Sequence, residues 1–170
     1  MADYGAVLEI RGARAEDGST LRQIDTETWS PGVTPAPPTD PDLPFFGERN
    51  DPADVLVATE DGAVVGFAMV HQPLPLPSHE HVLELDGLAV TPSRQGRGLG
   101  RRLVEAAQQE AVRRGARKLS LRVLSTNPAA RRLYESCGFT VEGILRGEFL
   151  LEGDLVDDIL MAWPVADTGS

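Results

Sequence analysis

The sequence predicts an α/β (α+β) fold, a mixed central β-sheet flanked by helices, and three features carry that prediction. Short valine- and leucine-rich runs bounded by Gly and Pro alternate with stretches of helical periodicity. Asp61-Gly62 and Gly153-Asp154 each sit between two such runs and mark antiparallel hairpins. Between His81 and Ala111, an apolar run, a glycine-rich turn and an amphipathic segment follow one another, the pattern of a strand feeding a helix. The resulting order is β α β β β α β α β β.

Residues Ala6 to Arg11 read as the first strand. Asp17 to Trp29 reads as a helix that starts at an Asp or Ser cap and sets Leu21, Ile24 and Thr28 on one side. Pro31, Pro35, Pro37, Pro38, Pro41 and Pro44 then forbid a continuous helix or central strand, which predicts an irregular loop with a short turn near Phe45-Phe46. A loop of that length in a compact domain covers a site or stays disordered. Val55–Thr59 and Ala63–His71 form a hairpin around Glu60-Asp61-Gly62. Pro73, Pro75 and Pro77 interrupt again.

The run His81–Val90 is too short for a stable helix and is closed by Thr91-Pro92, so it reads as a buried strand. Leu99, Leu103, Ala106, Ala107 and Ala111 return at three- and four-residue spacing and define the next helix. Lys118–Val123 alternates as a strand, and Asn127-Pro128 opens a helix that ends at Gly138. Phe139–Leu151 and Leu155–Trp163 are the last two strands, and the tail after Pro164 is expected to be loose. With no internal repeat, residues 1–170 are expected to form a single domain with its core at about 6–163.

Composition narrows the partners. The net charge of -10, from 16 basic and 26 acidic residues, argues against nucleic acid or an anionic membrane surface. A surplus of acid more often serves solubility than the steering of a cationic substrate. The single cysteine, Cys137, excludes an internal disulfide and fits a reducing compartment. No signal-peptide pattern and no apolar run of membrane-spanning length is present, so the expected location is cytoplasmic.

The turn Gln95-Gly96-Arg97-Gly98-Leu99-Gly100 has the chemistry of a phosphate site. Glycines let backbone N–H groups approach a ligand closely, and the first N–H groups of a helix lack partners within it. The helix dipole and Arg94, Arg97, Arg101 and Arg102 add positive charge. A Walker loop would end Gly-Lys-Ser/Thr, whereas this turn ends Gly100-Arg101-Arg102. A dinucleotide fingerprint needs G-x-G-x-x-G and a later acidic residue, and neither is found.

The remaining pattern, Q-x-x-G-x-G after Leu88-Ala89-Val90, resembles the acetyl-CoA signature of the GCN5-related N-acetyltransferases (GNAT). A second stretch, LSTNPAARRLYESCGF from Leu124 to Phe139, resembles the family's second segment and follows in the correct order. By element order the resemblance runs from about Ile10 to Trp163; the proline-rich loop departs from the family's usual second helix. The resemblance implies the acyl-CoA N-acyltransferase fold, with acetyl-CoA as cosubstrate and no metal. It implies that the backbone of Leu88, Ala89 and Val90 binds the pantetheine arm and that Gln95, Gly96, Arg97, Gly98, Leu99, Gly100 and Arg101 hold the pyrophosphate. Asn127 would bind the cofactor further along, and Tyr134 would stand near the thioester sulfur. It also allows a homodimer.

The expected activity is acetyl transfer to a primary amine, either a small molecule or a peptide N-terminus, by direct attack; the alternative is an acetyl-CoA-binding sensor without turnover. An ammonium has no lone pair, so a base must take its proton. Glu84, six residues before Val90, matches the position of the acidic base in some family members, and Asp86, His71, His79 and His81 are the other candidates. Gly87 is expected to bulge the strand and free an N–H for the thioester carbonyl, and Tyr134 to protonate the departing thiolate. The acceptor is expected among the two proline-rich loops and the last hairpin, near Arg146, Glu148, Asp157 and Asp158.

Overall fold

The computed structural model describes residues 6–166. The strands are β1 (Leu8–Gly12), β2 (Val55–Glu60), β3 (Ala63–His71), β4 (Val82–Val90), β5 (Lys118–Leu124), β6 (Thr140–Leu151) and β7 (Asp154–Pro164). The helices are α1 (Gly18–Thr28), α2 (Leu99–Arg113) and α3 (Pro128–Ser136). All seven strands form one sheet in the order β1-β2-β3-β4-β5-β7-β6. Hairpins make most neighbours antiparallel, while β4 and β5 run parallel because the chain returns between them through α2.

Alternation along the strands splits the apolar residues between two faces. On one face α2 and α3 cover Ala58, Ala68, Val70, Leu83, Leu85, Leu119, Leu121, Ile159 and Met161. Leu99, Leu103, Val104, Ala107 and Ala111 form the buried stripe of α2, as their spacing predicts. Full burial of each larger side chain contributes roughly 1.5–3 kcal/mol. On the other face α1 seats Leu21 and Ile24 against Val55, Val57 and Phe67.

The proline-rich stretch carries no helix or strand between Trp29 and Asp51, as expected. It is pinned at its end by buried Phe45, whose ring meets those of Phe46 and Phe67 edge-on, each at 5.2 Å between centroids.

Two details of the amino-terminal region differ from the sequence reading. The first strand starts at Leu8 rather than Ala6. Asp17 stands at the start of α1 without a side-chain cap, because its carboxylate is engaged elsewhere. It accepts from the Arg14 N–H at 2.7 Å and from both terminal nitrogens of Arg11 at 2.8 and 3.0 Å. The expectation of a loose tail falls partly on residues 167–170, outside the described residues.

Candidate active site

The site begins where two parallel strands part. β4 and β5 pair only over Val82–Glu84 and Lys118–Ser120, and beyond that rung they diverge. A bulge accompanies the divergence: between the pairs Val70↔Leu85 and Ala68↔Leu88, β3 advances two residues and β4 three. Gly87 sits in the bulge at φ 106°, a conformation that favours glycine, and a Cβ there would lie 2.6 Å from Met69 Cε and displace the end of that side chain.

The bulge sets which backbone groups face the gap. The Thr91 N–H donates to Val65 O at 2.8 Å, so by alternation Ala89 also turns its N–H and C=O toward β3. Leu88 and Val90 turn theirs into the opening, where Gln95 Nε2 donates to Val90 O at 3.0 Å. The cleft has a volume of about 580 Å³ and reaches both faces of the sheet. Asn127, Ala130 and Tyr134 line it from α3, Trp29 and the segment Val33–Pro37 from the opposite side.

At one end the glycine-rich turn presents backbone donors. Gly96 and Gly98 adopt left-handed φ values of 78° and 79°. Arg102 N–H reaches Gly98 O at 3.2 Å, but among the described residues no acceptor takes the N–H groups of Gly96, Arg97, Gly98, Leu99, Gly100 or Arg101. Three of the arginines around them are tethered: Arg94 to Glu60, Arg97 to Glu60 at 3.6 Å, and Arg101 Nη2 to Ser136 Oγ at 2.8 Å. Free amides, left-handed glycines and neighbouring guanidinium groups fit a diphosphate. The open edge of Leu88 and Val90 fits an amide-bearing arm laid alongside it like an added strand.

On α3, Asn127 Oδ1 caps the helix by accepting from Ala130 N at 3.2 Å, which leaves its Nδ2 free to donate. Tyr134 is buried with its ring 5.9 Å from that of Phe139. Its hydroxyl has no hydrogen-bond partner among the described residues, and burial pushes its pKa up to about 12. It therefore stays protonated at neutral pH.

At the other end titratable side chains gather. Glu84 faces His71 across the β3–β4 ladder, and the ligand atoms of His71, Glu84 and Asp86 all lie within 4.8 Å of one another. Asp86 and Gly87 both fall in the irregular stretch between Leu85 and Leu88, and the carboxylates of Glu84 and Asp86 nevertheless meet in one cluster with His71. Burial raises the Glu84 pKa above the ordinary carboxylate range, with the negative charge of Asp86 adding to it; His71 and Arg122 pull it back.

The structure redistributes the remaining candidates. His79 and His81 have ring centroids 6.2 Å apart and do not line the cleft, leaving His71 as the histidine beside the carboxylates. Arg146 and Asp157 pair with each other at 2.8 Å, Asp157 also accepts from Gly147 N at 2.9 Å, and neither they nor Glu148 line the cleft. Asp158 does, buried on β7 and paired with Arg122 of β5 at 3.0 Å. Arg122, Trp29 and Phe149 are lining residues that the sequence reading missed. The one signal for Arg122 was a charge set among the apolar residues of an alternating strand.

Comparison with known proteins places this architecture. Residues 19–139 match the acetyltransferase (GNAT) family. The [Ribosomal protein bS18]-alanine N-acetyltransferase of Salmonella typhimurium is 35% identical over 122 residues, 72% of this chain and 78% of that protein. The crystal structure of the ribosomal-protein-S18-alanine N-acetyltransferase from Escherichia coli superimposes with a TM-score of 0.72 at 29% identity, covering 96% of this chain and 97% of its own. A Salmonella typhimurium structure containing its cofactor acetyl-CoA has the same fold, with a TM-score of 0.78 at 24% identity and coverage of 96% and 97%. The chain thus belongs to the acetyltransferase (GNAT) family and is an acetyl-CoA-dependent N-acetyltransferase.

Proposed function

We propose that this chain acetylates a primary amine by direct attack, with Glu84 as general base and Tyr134 as general acid. The observation that carries the proposal is the splayed β4 edge, which joins a turn of free amides at one end to a half-buried carboxylate of raised pKa at the other. Acetyl-CoA supplies a thioester, an acyl group already activated toward an amine.

The N–H groups from Gly96 to Arg101 bind the diphosphate, and Arg97 and Arg101 add charge beside them. The backbone of Leu88 and Val90 aligns the arm, Ala89 holds that edge in the sheet through its own pairing to β3, and Gln95 fixes Val90 O. Asn127 donates through Nδ2. Glu84 accepts the proton of the incoming ammonium, and its raised pKa makes it a better base than an ordinary carboxylate. The Leu88 N–H, turned into the gap next to the bulge, donates to the carbonyl oxygen as negative charge gathers there. Tyr134 delivers its hydroxyl proton to the sulfur as the thiol leaves.

Relatives named for a ribosomal-protein alanine and for L-methionine sulfoximine support testing both protein-derived and small-molecule amines. The test is release of free CoA thiol from acetyl-CoA across a panel of peptides and small primary amines. Amine-dependent release that falls at least 100-fold in Glu84→Gln is the expected result. No release above the hydrolysis rate with any amine overturns the proposal.

A further inference from the structure

We infer that the acceptor is a small zwitterion, an α-amino acid whose amine meets Glu84 and Asp86 and whose carboxylate is read by Arg122. The inference rests on the acetyl-transfer reading above and narrows its acceptor.

The charged residues lining the cleft are acidic, Asp25, Glu84, Asp86 and Asp158, with one exception. Arg122 is the sole cationic side chain among the lining residues. It is not spent on its partner: Nη1 donates to Asp158, which is 2% exposed, and Arg122 is 54% exposed with no other acceptor among the described residues. Asp158 thus acts as a buried anchor that fixes a guanidinium with its remaining donors open, the form in which arginine recognises carboxylates.

Position supports the pairing. Arg122 projects from β5 and Glu84 from β4, on the two strands that part, and each is close enough to feel the other's charge. An amine delivered to Glu84 therefore arrives beside a cation. A molecule with a carboxylate next to its amine satisfies both walls, the carboxylates with its amine and the guanidinium with its acid. The segment Val33–Pro37 lines the same cleft, held by Trp29 Nε1 to Ala36 O at 3.0 Å and by Thr126 Oγ1 to Gly32 O at 2.9 Å. A cleft of about 580 Å³ that must also take the acetyl-bearing arm leaves room for a small acceptor.

The test compares kcat/KM for the twenty proteinogenic amino acids with that for their carboxamides, on the native enzyme and on Arg122→Gln/Asp158→Asn, which removes the pair without stranding a buried charge. For the preferred acceptor the native enzyme should favour the acid over the amide by about 10- to 100-fold, the range of one charge-assisted recognition. The double variant should lose that ratio while keeping its acetyl-CoA affinity. Equal use of acid and amide, better use of amidated peptides, or a ratio that persists in the double variant overturns the inference and leaves acetyl transfer standing. No amine-dependent turnover with either series or with the wider amine panel overturns both.

Discussion

The two ends of the cleft are made of different material. At the turn from Gln95 to Arg101 the chain offers main-chain N–H groups, and three of the arginines nearby are tied to Glu60 and Ser136. At the proposed acceptor end the backbone is paired over Glu84, and the proposed chemistry falls to the side chains Glu84, Asp86, His71, Arg122 and Asp158. Backbone donors are insensitive to most substitutions and suit a cosubstrate that does not change. Side chains can be exchanged singly, and they suit an acceptor that differs between enzymes. The bulge at Gly87 lies between the two regimes, just past the last rung that β4 shares with β5 and just before the edge left open at Leu88 and Val90.

This division can be broken at either end. Glu84→Gln should have the largest effect, lowering turnover by about 10²- to 10⁴-fold, the range of a lost general base. In the native enzyme the carboxylate must be unprotonated to accept the amine proton, so kcat/KM should fall as pH drops through a pKa raised above the ordinary glutamate range. That acid limb should vanish in the variant. Tyr134→Phe should cost about 10²-fold in turnover with little change in fold, because the hydroxyl has no hydrogen-bond partner among the described residues to lose.

At the backbone end, Gly100→Asp places a carboxylate among the free amides. Its Cβ meets only Leu133 Cδ2, at 3.3 Å, so the helix should persist. Acetyl-CoA affinity should fall roughly 100-fold, the worth of two charge-assisted hydrogen bonds, as read by calorimetry. Arg97→Gln should have the smallest effect, a loss of about threefold that salt diminishes further, since this arginine is exposed and already shares Glu60. A loss as large as that of Gly100→Asp would mean that side-chain charge, rather than the main chain, holds the cofactor.

The same contrast explains what the sequence could reveal. The glycine turn, the order of strands and helices and the bulge at Gly87 were legible because glycine spacing, Asp-Gly hairpins and apolar periodicity are local properties. Glu84 and Tyr134 came through the family resemblance. Arg122 and Asp158 were not legible as a pair, since they meet only when β5 and β7 become neighbours, 36 residues apart in sequence. Arg146, Asp157, His79 and His81 were equally plausible by composition; Arg146 and Asp157 pair with each other, and none of the four lines the cleft. The capping role expected of Asp17 gave way to Arg11, a partner that the sheet brings alongside it.

The most direct test of a cleft with separable ends is an acetyl-CoA titration of Glu84→Gln, followed by turnover on the same sample. Affinity within about twofold of native, together with turnover lowered at least 100-fold, is the predicted outcome. Affinity lost in parallel with turnover, or turnover left intact, would contradict the account.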